Sequence, residues 1–312
     1  MDVELLNTLG KSREPFLFIS DFKGENIKVI LLKDLEKEDI SFSINENFPY
    51  KRHSHFLKTK AINFLDYSLK FTKMIQKIKE GKTYVINLTQ ATEVKTDLSL
   101  KEIFNTSNAH YKLRYKDEFV CFSPEKFIQI NDNKIHTFPM KGTINSAIPN
   151  AREKILEDKK EKAEHVMIVD LLRNDLSIVS SNVKVERFRY ISEIKTGDQK
   201  LLQVSSEISG KLSENWHENI GDILDALLPA GSISGAPKKS TLEIIDEIEG
   251  YERNFFTGVF GLFDGRSFDS GVMIRFIEKT EKGYFYKSGG GITLDSDVSL
   301  EYNELQNKIY LP

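Results

Sequence analysis

The stretch from residue 110 to residue 138 constrains this chain most. Four short strand-like runs, HYKLRY, EFVCFS, KFIQI and KIHTF, follow one another with only Ser123-Pro124 and Asn131-Asp132-Asn133 as turn signals. Parallel neighbours need a crossover of a dozen or more residues, so strands this close in sequence pair antiparallel. The pattern recurs near the C-terminus, where FFTGVFGLF and FDSGVMIRFIEKT flank Asp264-Gly265 and YFYKSGG follows Lys282-Gly283. It also occurs near the start, where Phe16–Ile19 and Ile27–Leu32 flank Lys23-Gly24-Glu25-Asn26.

Helical periodicity separates these groups. Ile62, Leu65, Leu69, Ile75 and Ile78 fall near a 3.6 period, with Gly81 placed to end the helix before the strand TYVINLTQATEV. A long helix is expected after Pro149, through EKILEDKKEKAEHVMIVDLLRND, before strands around VKVERFRYI and KLLQVSSEISG. A helix near Trp216 to Leu228 leads into the loop PAGSISGAPK, a second starts at a Ser240 cap, and a last one carries SLEYNELQNKIY. With no internal repeat and no Pro/Ser-rich linker, the expectation is α+β. Residues 61–312 are expected to form one large domain of antiparallel sheets flanked by helices, with residues 1–60 as a short strand-rich segment packed on it.

Charge excludes some partners. Lys and Arg number 44 against 47 Asp and Glu, a net charge of -3, so no whole-molecule basic field exists for nucleic acid or an anionic membrane. The single cysteine, Cys121, rules out an internal disulfide or a multi-cysteine metal site and suits a reducing compartment. No apolar run approaches the roughly 18 residues of a membrane span, and the N-terminus does not read as a secretion signal. A cytoplasmic protein is expected.

Several residue groups could carry chemistry. Glu161 and Glu164, and likewise Glu301 and Glu304, sit three apart in helices, so each pair projects from one face. Brought together they would suit Mg2+, which takes oxygen ligands; taken singly, such a pair in a chain this charged is ordinarily a solvated face. Lys141, in FPMKGT, is a surface lysine unless a pocket desolvates it, when its neutral amine becomes a nucleophile. The glycines of GSISG, Thr257-Gly258 and Gly289-Gly290-Gly291 would let backbone N–H groups approach an anion, or simply make tight turns. GSISGAPK fails the P-loop spacing. The six histidines, His53 and His55 among them, form no metal set; His165 reads as a structural helix residue. Asp170, Arg173 and Asn174 read as buried salt-bridge and capping residues.

Taken together and in order, FPMKGT, AEHVMIVDLLRNDL, PAGSISGAPK, MIR and GGGITLDSD resemble the chorismate-utilising enzymes over about three quarters of the chain, from Gly81 onward. The resemblance implies Mg2+ on Glu164 and Glu304, with Glu161 and Glu301 as supporting or alternate ligands. It implies Glu125, in Ser123-Pro124-Glu125, as general acid. Gly142, Thr143, Arg275, Gly289, Gly290, Gly291 and Lys308 match positions that hold the substrate's carboxylates, and Thr257 and Gly258 fall in the same substrate-binding set. Lys141 stands where anthranilate and isochorismate enzymes usually have Ala and where the large subunit of aminodeoxychorismate synthase has Lys. The implied chemistry is attack of Lys141 on C2 of chorismate, loss of the C4 hydroxyl, and addition of ammonia at C4 to give 4-amino-4-deoxychorismate for folate synthesis.

Val85, where water-adding relatives carry a lysine base, argues against isochorismate formation. Gln203, where relatives commonly have a His that assists pyruvate elimination, favours stopping at the amino-chorismate. Phe256 replaces a usual Tyr. No Cys-His glutaminase pattern is present, so the resemblance implies a separate glutamine amidotransferase subunit as ammonia source. Anthranilate synthase component I is the alternative activity, and a non-catalytic chorismate-binding homologue the second.

Overall fold

The computed structural model describes residues 2–46, 55–196 and 199–311; His53 lies outside them. The α+β expectation holds, but the division at residue 60 does not. The chain forms two compact units, each from segments distant in sequence: 1–32, 125–232 and 259–271 in the first, 33–124, 233–258 and 272–312 in the second. Strand pairing is the reason. Phe16–Ser20 and Ile27–Leu31 join the first unit's sheet, whereas Ile40–Ile44 and Leu57–Lys60 join the second's.

Among the described residues the first unit holds a nine-stranded sheet. Its order is Met140–Asn145, Gln199–Lys211, Lys134–Thr137, Lys126–Asn131, Phe268–Val272, Val259–Phe263, Phe16–Ser20 and Ile27–Leu31, with Ser181–Thr196 paired along Gln199–Lys211. Phe16–Ser20 is buried throughout, as a strand covered on both faces must be. Asp21 closes its hairpin, the carboxylate accepting the N–H groups of Glu25 and Asn26.

The expected long helix is two. Ala151–Glu157 stops at Asp158, whose extended backbone breaks the helix and whose side chain accepts Glu161 N–H at 2.9 Å, capping a new helix, Lys159–Val179. That helix buries His165, Ile168, Val169, Leu172 and Leu176, an i, i+3, i+4, i+7 stripe. A helix absent from the sequence expectations, Val3–Lys11, is capped by Asp2 and packs closely enough on the His217 carbonyl that a Cβ at Gly10 would overlap it.

Among the described residues the second unit holds an eight-stranded sheet, in the order Gly235–Ala236, Val85–Thr96, Gly283–Ile292, Phe276–Thr280, Phe119–Ser123, Tyr111–Tyr115 and Ile40–Ile44, with Leu57–Lys60 beside Val85–Thr96. The helix Phe64–Lys79 ends at Gly81, φ +73°, as its sequence requires. Its buried face is Tyr67, Phe71, Met74 and Ile78; Leu65 and Leu69 are 69% and 64% exposed, because aromatic contact between Tyr67 and Tyr302 rotates the other face inward. Ser240 is not a cap: the helix Lys238–Glu249 begins two residues earlier, and the Ser240 hydroxyl donates to the Lys82 carbonyl at 2.6 Å. Among the described residues no helix is long and apolar enough to cross a membrane.

Candidate active site

A β-bulge builds the first unit's contribution. Met140 pairs with Ser205 and Thr143 with Gln203, so three steps along one strand oppose two on its partner and the register shifts between them. Lys141 and Gly142 occupy the bulge, which re-aims the lysine. Its Nζ lies 3.3 Å from Glu164 Oε2, the two side chains 24% and 12% exposed, and Lys160 Nζ stands 3.8 Å from the other Glu164 oxygen. Gly142 has φ +81°, and a Cβ there would sit 3.2 Å from Glu161 Oε2. Strand and helix thus bring Lys141, Gly142, Glu161 and Glu164 together; Thr143 is exposed beside them.

Behind this group, fully buried His165 places Nε2 2.7 Å from Ser206 Oγ, which also accepts Arg189 N–H at 2.9 Å. Burial, with the nearby charges of Arg189 and Lys141, pulls the imidazole down to about 4, so His165 is neutral and structural. Glu125 follows the strand Phe119–Ser123, and the Ser232 hydroxyl donates to its Oε1 at 2.7 Å. Sequence reading did not single out Ser232, although it lies in the PAGSISGAPK loop. Asp170 and Arg173 form an exposed i, i+3 pair at 3.2 Å rather than a buried bridge, because their helix turns them to solvent. They line a shallow groove of about 310 Å³ with Val166, Val169, Val185 and Phe188, on the far side of the helix from Glu164 by helical phase.

In the second unit, Gly283–Ile292 and the helix Val298–Asn307 meet at glycine. Asp297 caps that helix through the N–H groups of Ser299 and Leu300, setting Glu301 and Glu304 on one face. A Cβ at Gly290 would lie 3.4 Å from Glu301 Oε2, 3.6 Å from Lys308 Nζ and 3.8 Å from Glu304 Oε1. Lys308 ion-pairs with Glu304 at 2.7 Å and donates to the Gly289 carbonyl at 2.7 Å. Gly289 is itself pressed against Leu88 and Thr89, and Gly291 continues the strand opposite Asn87. Burial, then the Glu301 and Glu304 carboxylates, pushes the Tyr67 hydroxyl upward.

Arg275 stands between strands at φ +53° with its guanidinium 5.4 Å from the Tyr310 ring centre. Its Nε is buried without a hydrogen-bond partner, and the side chain makes no ion pair among the described residues. A half-buried planar cation with no carboxylate paired to it among the described residues is equipped to receive one. Thr257 and Gly258, by contrast, are buried, and their N–H groups are spent on the Met273 and Phe255 carbonyls at 2.8 and 3.0 Å. Gln203 has a buried Oε1 without a partner, Val85 is buried in its strand, and Phe256 packs on Phe276.

Among the described residues, no three of His, Cys, Asp or Glu converge on a preformed metal cage. The carboxylates come instead as two pairs with hard oxygen donors, each facing a glycine with no side chain to block it. This suits Mg2+, which is ordinarily held by one or two carboxylates while water and substrate oxygens complete its octahedron. Cys121 is fully buried, and burial pushes its thiol upward, so it offers no thiolate.

Fold and motifs define an α+β enzyme domain, and comparison with known proteins supplies the family. Residues 17–311 match the chorismate binding enzyme family, to which this chain belongs. It is 46% identical to an uncharacterised PabA-like protein of Haemophilus influenzae, over 99% of this chain and 96% of that one. It is 35% identical to anthranilate synthase component 1 of Archaeoglobus fulgidus and 32% to aminodeoxychorismate synthase component 1 of Escherichia coli. It covers 60% and 56% of those longer chains, which in turn match 77% and 78% of this one. Anthranilate synthase component I of Streptococcus pneumoniae superposes with a TM-score of 0.68 at 25% identity, covering 91% of this chain and 68% of that one. The isochorismate synthase MenF of Escherichia coli shares the fold, with a TM-score of 0.73 at 15% identity, covering 97% and 79%.

Proposed function

We propose that this protein aminates chorismate at C4 to 4-amino-4-deoxychorismate in the cytoplasm, for 4-aminobenzoate and folate synthesis, with ammonia from a glutamine amidotransferase subunit. The observation that carries the reading is Lys141: a bulge turns its amine out of the strand to 3.3 Å from Glu164.

In this reading Lys141 passes its proton to water and its amine attacks C2 of the ring. The double bond shifts and the C4 oxygen leaves, taking a proton from Glu125 to depart as water. Ammonia then adds at C4, the double bond shifts back, and the lysine nitrogen is expelled from C2. Chorismate and ammonia become product and water. Glu125 is oriented by Ser232, whose hydroxyl donates to its Oε1 at 2.7 Å. Arg275 and Lys308 receive the substrate's carboxylates, with Gly142 and Gly289 to Gly291 leaving room for them. Glu161, Glu164, Glu301 and Glu304 are the proposed Mg2+ ligands; the bound ion supplies charge stabilisation for substrate oxygens.

Replacing Lys141 with Ala tests this. Turnover is expected to fall sharply while Mg2+-dependent chorismate binding persists, and wild-type protein incubated with chorismate without ammonia is expected to carry a chorismate-derived adduct on Lys141 by mass spectrometry. Unchanged turnover in the variant would overturn the covalent role.

A further inference from the structure

Outside the residues that carry the proposed chemistry, the second unit contains a fully buried ion pair. The Arg253 and Glu249 side chains are 2% and 1% exposed. Glu249 Oε2 accepts Arg253 Nε at 2.8 Å, and Oε1 accepts an Nη2 proton at 2.6 Å together with the backbone N–H and hydroxyl of Thr89 at 2.8 and 2.9 Å. The remaining guanidinium protons go to the Asn87 carbonyl at 2.8 Å, the Ile233 carbonyl at 3.1 Å and Thr257 Oγ1 at 3.4 Å. All of the guanidinium's donors are therefore engaged, an arrangement a lysine ammonium cannot reproduce.

Two routes lead from this pair to one short segment. Thr257, which takes the Nη1 bond, donates its N–H to the Met273 carbonyl at 2.8 Å, and Met273 N–H returns to the Gly258 carbonyl at 2.8 Å. The Arg253 carbonyl accepts Lys287 Nζ at 3.0 Å, and Lys287 is the ladder partner of Phe276. The routes meet the chain at Met273 and Phe276, on either side of Arg275. Thr257 and Arg275 both hold positive φ, +61° and +53°, which a side chain adopts only when its surroundings impose it. The braced segment ends in the Arg275 guanidinium, which lies over the Tyr310 ring, has a buried Nε without a hydrogen-bond partner and makes no ion pair among the described residues.

We propose that Arg253, fixed by Glu249, is a positioning residue for Arg275, setting the guanidinium that receives a substrate carboxylate. This rests on the reading of Arg275 given under Proposed function. The test is chorismate binding by titration calorimetry with Mg2+ present, at a temperature where circular dichroism shows each variant folded. The variants are Arg253→Lys, Arg275→Ala and their combination. Arg275→Ala alone is expected to weaken binding; if it does not, the carboxylate role of Arg275 falls and this proposal with it. Arg253→Lys is expected to weaken binding about tenfold, and to add nothing once Arg275 is Ala, the non-additivity of residues acting through one another.

If Arg275→Ala weakens binding but Arg253→Lys does not, or if the two losses simply add, the ion pair is only structural and the proposal is overturned while the reading of Arg275 stands. Should Arg253→Lys fail to fold, Thr257→Val removes one of the two Nη1 acceptors, together with the hydroxyl's own donation to the Phe256 carbonyl, and leaves the Glu249 pair intact. Its smaller loss must likewise vanish beside Arg275→Ala and be recovered by Thr257→Ser; no loss at all also overturns the proposal.

Discussion

Gly142 and Gly81 offer a matched pair of perturbations. Both have positive φ, +81° and +73°, so alanine at either forces an L-residue into the left-handed region, at about 1–2 kcal/mol. Their surroundings differ: a Cβ at Gly81 meets nothing within 4 Å, whereas one at Gly142 lies 3.2 Å from Glu161 Oε2 and 3.5 Å from Ile155. Contact that tight requires the carboxylate to give by a few tenths of an ångström. Both variants should therefore lose about 1–2 kcal/mol in urea unfolding. Only Gly142→Ala should also raise the Mg2+ concentration for half-maximal turnover, by about tenfold, the usual effect of disturbing the support of a metal ligand. Equal Mg2+ dependence in the two variants would refute the argument that Gly142 makes room for a liganding Glu161.

Two further predictions follow from the same geometry. Glu304→Gln is expected to weaken Mg2+ dependence and chorismate binding together, and retention of both would remove Glu304 from the metal set. Lys112 is buried, its ammonium donating to the Phe104 and Ser107 carbonyls at 3.1 and 2.9 Å, and burial lowers it from 10.5 to about 8. Between those values the unfolded chain keeps a proton the folded one has released, so stability rises with pH there, by up to about 3 kcal/mol. Urea unfolding at pH 7.5 and pH 10 should show that rise in the wild type and not in Lys112→Met; equal pH dependence would disprove it.

Much of the site was legible because it is written in local spacing. Glu161 and Glu164, like Glu301 and Glu304, share a face by helical geometry alone, and the hairpin turns at Asp21–Asn26 and Asp264-Gly265 follow from side chains that cap their own backbone. What escaped depends on contacts between distant segments. The bulge that turns Lys141 toward Glu164 is a register shift against residues 203–205, invisible in FPMKGT itself. Leu65 and Leu69 matched a core stripe, but the helix Phe64–Lys79 is oriented by Tyr67 against Tyr302, far along the chain. Asp158 lies within the charged run expected to form one long helix, and its side-chain bond to Glu161 N–H, which starts a second helix, is not marked in that run. Arg253 and Glu249 stand four apart in sequence with nothing local to mark them, and only their burial beside Thr89 and Thr257 sets them apart from a surface pair. The split at residue 60 failed because the strands on either side of Leu32 enter different sheets.

The central claim is amination of chorismate at C4. Purified protein incubated with chorismate, Mg2+ and an ammonium salt, with and without EDTA, is expected to yield 4-amino-4-deoxychorismate by liquid chromatography and mass spectrometry, and none when EDTA is present. Anthranilate as the product would contradict the claim and leave Lys141 without its assigned role.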